Sequence, residues 1–314
     1  MSSPDITLVT ACDAGYFWGA FLLAASIRRH QLPGRVLVMQ AGFDAAQQQL
    51  LAQFPDVTSR PADPANPYRF NNRKAEALLL ADTEYLAWLD ADCFIAGPVG
   101  GLLVPANGEF QARRREPAEN ASAFDRSYEP GEPRGGMPKS VLERWQRDVG
   151  ERVTPRGDTT YPSNCFVIHA RHRPFLEHWD RQIRAVIPPH APVLNRDDPA
   201  YALTDEAVLN SLLLFAHVAP APAPYQLDRD PAAHVVHFIG SPKPWAGWTK
   251  PYLYCLPKVF ELLAWLAREG YATPPVPPSF RPERAGRIRA AAALRSLYRG
   301  LRSRLGRALR LLGR

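Results

Sequence analysis

The chain has 314 residues, is 46% hydrophobic and carries a formal net charge of +7, so it can bury a full core in one large domain with appendages. The charge is uneven: residues 281–314 hold eleven Arg, no Lys and one acid, a balance of +10, which leaves residues 1–280 at −3. A mildly acidic body excludes bulk basicity as a guide to any active site and makes nucleic acid a poor partner; the excess charge belongs to whatever the tail touches.

Met1-Ser-Ser-Pro-Asp5 lacks the basic start of a signal peptide. Ile6–Thr10 reads as a buried first strand, and after a polar break the apolar run Phe17–Arg29 reads as a helix. Arg35–Met39 is the second strand, and Asp44 can cap a Gln-rich helix running to about Phe54. Arg73–Leu80 has helical character, and Glu84–Leu89 is a strand that ends in Asp90-Ala91-Asp92. Residues 113–136 are charged, rich in Pro and Gly and weakly patterned, which fits a disordered segment or a functional lid. Ser140–Val149 restores helical character and Cys165–His169 is a strand. Pro174–Val186 and Asp205–Phe215 are helices, the second capped by Thr204 or Asp205. Leu256–Arg268 is amphipathic, and Thr273–Ser279 is a stiff Pro-rich linker. This alternation predicts an α/β fold with a mostly parallel sheet, whose ligands gather at the carboxyl ends of strands, where Asp90 and Asp92 fall.

Two carboxylates one residue apart at a strand end offer hard oxygen ligands to Mg2+ or Mn2+. Asp-x-Asp alone is a weak signal. The stretch His237-Phe-Ile-Gly240-Ser-Pro-Lys243-Pro-Trp245 is far more specific. Its imidazole can ligate a cation, its Gly lets backbone approach a phosphate, and its Lys offsets phosphate charge. Together the two stretches suit a metal-bound pyrophosphate.

By motif order over roughly residues 5–250, these residues resemble the retaining glycosyltransferases of family 8, the group containing glycogenin and bacterial lipopolysaccharide glucosyl- and galactosyltransferases. The resemblance implies a GT-A type fold, a Rossmann-like mixed sheet flanked by helices. It implies that Asp90, Asp92 and His237 hold Mn2+ (or Mg2+) against the diphosphate of a nucleotide-sugar, while Gly240 and Lys243 contact the phosphates. The turn Thr10–Tyr16 is similar to the one framing the base and ribose, which assigns Ala11, Asp13 and Tyr16 to the nucleotide, with Ala91 beside them; Gly15 stands where Asn is more common. Arg69-Phe-Asn-Asn-Arg73-Lys74 resembles the basic segment that reaches the diphosphate, with Lys74 the favoured contact and Arg73 a solvated surface residue. Asp205-Glu206-Ala-Val-Leu-Asn210 resembles a segment facing the donor sugar, with Glu206 in place of Gln. Glu206 is then a nucleophile or an electrostatic brace. Asn164 is a sugar or acceptor contact, with Phe166 where the family has Gly.

The expected reaction is metal-dependent, retaining transfer of a hexose from a nucleotide diphosphate sugar, UDP-linked by the resemblance, to a saccharide or glycolipid acceptor. Alternatives are a metal-dependent nucleotidyltransferase and an inactive membrane-associated adaptor. Trp245 and Trp248 are either core or sugar-stacking faces. His172, His178, His190 and His217 show no ligand spacing and read as structural. Four well-separated Cys read as reduced thiols, and the Asn120-Ala-Ser122 sequon as chance. In the tail, Ile288, Leu294, Leu297, Leu301, Leu305, Leu309 and Leu312 recur at helical spacing with Arg on the other face. The expected organisation is a GT-A domain over 1–272, a linker over 273–283 and a basic amphipathic helix over 284–314. The helix would dock on an anionic membrane, making the enzyme cytoplasmic and peripheral on the inner face of the cell membrane; packing through its Leu face is the other option. Removing everything after Pro278 is then expected to leave turnover on a soluble acceptor largely unchanged, because every metal and phosphate residue precedes the linker.

Overall fold

A computed structural model describes the backbone of residues 5–99, 104–105, 107–225 and 234–312, and the side chains of these except 224–225 and 303–312. Four strands, β1 (Ile6–Asp13), β2 (Arg35–Ala41), β3 (Val57–Pro61) and β4 (Tyr85–Leu89), run parallel. With β6 (Phe110–Arg113), β7 (Cys165–His169) and β8 (Pro222–Tyr225) they form a sheet of order β3-β2-β1-β4-β7-β6-β8, in which β7 is antiparallel to both neighbours. β5 (Cys93–Ile95) and β9 (Val235–His237) form a separate antiparallel ribbon.

The near-continuous apolar sequence of β1 follows from burial on both faces. Ile6 and Leu8 join the cluster made with α1 (Phe17–Arg29) and α8 (Leu256–Arg268). Val9 and Ala11 point the other way, toward α3 (Lys74–Leu79), α6 (Arg173–Val186) and α7 (Thr204–Phe215). β1 lies between β2 and β4, so the crevice where connections diverge opens beyond the carboxyl ends of β1 and β4. Asp13 closes the first strand and Asp90 follows the second.

Several expectations need correction. α2 (Ala45–Ala52) does begin with Asp44, which accepts from the Gln47 amide at 2.7 Å. α7, however, is not capped by Thr204 or Asp205: Leu203 takes the cap position without a side-chain bond, and both expected caps are already helical. Their side chains meet Asn71 instead, whose Nδ2 donates to Thr204 Oγ1 at 2.9 Å and to Asp205 Oδ1 at 3.3 Å. Arg73 is not solvated; it is 4% exposed and forked on Glu76, one helical turn on. Residues 113–136 contain α4 (Pro117–Ala123), opened by a Glu116–Glu119 capping box and tied down where Tyr128 Oη donates to Gly136 O at 2.7 Å. Asn120 of the sequon is 1% exposed and accepts from Thr160 Oγ1 at 2.8 Å, which leaves no room for a glycan. α5 (Lys139–Val149) then packs on α7. All four Cys are free thiols, and burial pushes those of Cys12 and Cys93 upward.

The Pro-rich stretch after residue 272 lies against the body. Phe280 is fully buried, 5.2 Å from the Trp18 ring centroid, and Trp248 Nε1 donates to Ser279 O at 2.9 Å. α9 (Ala285–Leu312) follows. Its inward stripe is Ile288, packed on the core, and Ala292, which is 0% exposed. Leu294, Leu297, Tyr298 and Leu301 lie on the opposite side and are 56–67% exposed. The helix therefore does not pack through its described Leu residues; Leu305, Leu309 and Leu312 lie outside the described side chains. No helix among the described residues is long and apolar enough to cross a membrane.

Candidate active site

A cavity of about 660 Å3 opens at the carboxyl ends of β1 and β4. Asp90 and Asp92 reach it because β4 ends at Leu89 and the chain turns back into β5, with the Cys93 amide donating to Asp90 O at 2.8 Å. His237 reaches it because β9 pairs with β5, Cys93 opposite His237, and the Phe238 amide donates to Asp92 O at 3.0 Å. His237 Nε2 then lies 3.2 Å from Asp92 Oδ1 and 3.6 Å from Asp90 Oδ2. The three groups offer ligand atoms within 4.8 Å of one another. Two carboxylates and an imidazole are a donor set that fits a hard or borderline divalent ion.

The electrostatics are those of a site charged at neutral pH. Burial raises Asp92, but hydrogen bonding and charge from His237 and Lys243 outweigh it and hold the carboxyl at about 2. Burial works against the His237 imidazolium, yet Asp92 and Asp90 raise its pKa above the ordinary value of 6.5. Lys243 contacts Asp92 Oδ2 and donates to Phe238 O at 2.8 Å. Gly240 sits between them at φ +82°, a left-handed conformation that strains any residue with a Cβ.

Lys74 is the most enclosed cation of the site, 3% exposed, with its ammonium 5.4 Å from the Trp88 ring centroid. It lies 2.8 Å from Asp90 Oδ1 and 3.0 Å from Asp205 Oδ2, and donates to Ser163 O at 2.9 Å. Burial opposes its charge, and Asp205 and Asp90 more than restore it, so its pKa is raised. An ammonium has three protons, and these acceptors account for them. Lys74 thus joins the two acidic segments at the cavity wall. Of the basic segment, Arg69 is the exposed cation on the cavity wall, and its guanidinium has no partner among the described residues.

Ala11, Asp13, Tyr16, Lys74, Asp90, Ala91, Asp92, His237, Gly240 and Lys243 all line this one cavity. Asn164, Asp205 and Glu206 do not. Asn164 accepts the Asp90 amide on its carbonyl at 2.9 Å. Asp205 is 5% exposed and accepts from Ser163 Oγ at 2.7 Å. Glu206 is paired with Arg115 at 2.5 Å and accepts the Ser163 amide at 3.0 Å. Trp245 and Trp248 are packing residues: the first meets the Tyr16 ring edge at 5.6 Å, the second is 1% exposed. Sequence reasoning overlooked Arg115, although the run Arg113-Arg-Arg115 ahead of an acidic helix start was visible. It also placed His190 among structural residues; His190 is exposed, lines the cavity and has φ +63°.

No sequence-family model and no curated protein matches the chain. Solved structures do. The galactosyltransferase LgtC, in complex with donor and acceptor sugar analogs, superposes with TM-score 0.52 at 15% identity, covering 86% of this chain and 97% of that one. The glycosyltransferase GlyE of Streptococcus pneumoniae TIGR4 gives TM-score 0.52 at 12% identity, covering 87% of this chain and 65% of its own. The bifunctional glycosyltransferase WbbM gives 0.51 at 15%, covering 78% of this chain and 47% of its own, so the chain spans about half of that protein. At such identities the likeness establishes the fold: the chain has the mixed, mostly parallel GT-A type architecture of glycosyltransferases resembling family 8.

Proposed function

We propose that the protein is a metal-dependent retaining glycosyltransferase that moves a hexose from a UDP-linked donor to a saccharide or glycolipid acceptor. The observation that carries this reading is the meeting of Asp90, Asp92 and His237 in the same cavity as Lys243 and the Asp13–Tyr16 rim. A Mn2+ or Mg2+ ion held by the three ligands would supply Lewis-acid neutralisation of a leaving diphosphate. Lys243 adds fixed positive charge beside that point, and Gly240 opens backbone to phosphate oxygens. Asp13 and Tyr16 on the cavity rim support a nucleoside seat there, and exposed Arg69 on the same wall supports a contact to an anionic group. Glu206, paired with Arg115 and off the cavity wall, is poorly placed to attack an anomeric carbon, which supports same-face return over a covalent intermediate. The exposed Leu294, Leu297 and Leu301 on an Arg-rich helix support docking on the cytoplasmic face of an anionic membrane.

A hydrolysis screen over UDP- and GDP-sugars with Mn2+ tests the reading, with Asp92→Ala as control. Release of UDP by the wild type and not by the variant is expected. Pyrophosphate release instead would point to nucleotidyl transfer, and no release from any donor would sink the transferase assignment.

A further inference from the structure

The tail helix is seated on the loop that carries Lys243, and we propose that Arg295 and Arg299 of α9 are positioning residues for that loop. The helix register sets this up. Ile288, Ala292, Arg295 and Arg299 fall on one stripe at successive steps of four, three and four residues. The first two bury against the body, and the next two reach the loop backbone. Arg295 Nη1 donates to Trp248 O at 3.2 Å, and Arg299 Nη2 donates to Ser241 O. Arg295 also lies against Gly247, where an added Cβ would come within 2.7 Å of its Nη1.

A third tie comes from the stretch just before the helix. Ser279 Oγ donates to Trp245 O at 3.0 Å. The carbonyls of Ser241, Trp245 and Trp248 are thus all held by chain that follows Pro278. These carbonyls bracket Lys243, whose own carbonyl accepts the amides of Ala246 and Gly247 at 2.8 Å each. The loop's front presents Gly240 and Lys243 to the cavity while its back rests on the tail. Such a tail is a strap, and it serves the donor site whether or not it also meets a membrane.

This inference deepens the donor-binding role proposed for Gly240 and Lys243 and rests on it. It also reverses an expectation drawn from sequence: cutting after Pro278 removes Ser279, Phe280 and both Arg, so donor binding should suffer.

The test uses the full chain in vesicle-free buffer. Arg295→Ala/Arg299→Ala is compared with wild type, with Arg299→Ala, with Arg299→Lys and with Arg289→Ala/Arg302→Ala, a pair that removes equal charge from exposed positions. Hydrogen exchange over residues 240–248 is measured without ligand, and UDP affinity with Mn2+ by calorimetry. Exchange over 240–248 should quicken in the first pair and UDP affinity fall about tenfold. Arg299→Lys should recover part of the Arg299→Ala loss, and the control pair should match wild type. Unchanged exchange in the Arg295→Ala/Arg299→Ala protein overturns the strap, as does equal weakening by the control pair. If wild type binds no UDP, the donor reading fails and the exchange comparison alone still decides the strap.

Discussion

Cys93 lies opposite His237 in an antiparallel pair, and that one register puts an imidazole 3.2 Å from Asp92. A slip of one residue would turn His237 to the other face of the ribbon. In the metal-free protein, His237 has a raised pKa, so its stabilising contribution is complete below the ordinary value of 6.5 and fades as pH rises through the folded value. Asp92 behaves oppositely: held at about 2, it contributes above its ordinary 3.8 and loses this as pH falls. An ion at this site competes with the His237 proton. The Mn2+-induced rise in melting temperature should therefore be larger near pH ~8 than near pH ~6. Equal shifts at both would remove His237 from the ligand set.

Lys74→Met separates two roles for that side chain. If the ammonium clamps Asp90 and Asp205, the variant strands two carboxylates and costs on the order of 3–5 kcal/mol. Denaturant unfolding reads this directly. A loss of UDP affinity with stability unchanged would instead make Lys74 the diphosphate contact that the sequence suggested.

The Arg115–Glu206 pair makes a prediction about catalysis by what it withholds. Both side chains are nearly enclosed, at 12% and 14% exposure. Arg115→Met should destabilise by about 3 kcal/mol in wild type and by clearly less in a Glu206→Gln background. Glu206→Gln alone should keep turnover within about threefold of wild type. A fall of a hundredfold or more would restore Glu206 as a group acting on the reacting centre.

Gly19 is where α1 touches the metal turn. A Cβ there would lie 2.3 Å from Ala91 O and 2.7 Å from the Trp245 ring. Gly19→Ala should cost about 1–3 kcal/mol by overpacking, and it should weaken Mn2+ binding because Ala91 separates the two carboxylates. Normal Mn2+ affinity in a destabilised variant would show that α1 can yield without moving the turn.

Much of the frame was readable. α1 and α8 occupy the spans their apolar patterns indicated, and β4 ends where Asp90 begins. The strands that escaped notice are short: β5 has three residues and exists through its pairing with β9, a long-range partner that no local pattern reveals. The site residues were legible where chemistry is written in a compact motif, as from His237 to Lys243. They were not where charge is settled by distant neighbours. Nothing near Lys74 in sequence announces Ser163 or Asp205, and nothing near Glu206 announces Arg115. Arg73 is a different case, since Glu76 at the third position on was in view and the ion pair could have been read.

The Asp90–Asp92 turn is gripped from several directions: the Asp90 amide by Asn164 O, Asp92 O by the Phe238 amide, and Ala91 O by the close approach of α1. A main chain held this way cannot contract or widen to suit an ion. The Asp90 carboxylate is fixed as well, by Lys74 at 2.8 Å and by Trp88 Nε1 at 2.7 Å, so accommodation falls to the Asp92 and His237 side chains, whose torsions can still change. Discrimination between a small ion and a larger one such as Ca2+ would accordingly reside in Asp92 and His237, with Asp90 serving as a fixed gauge.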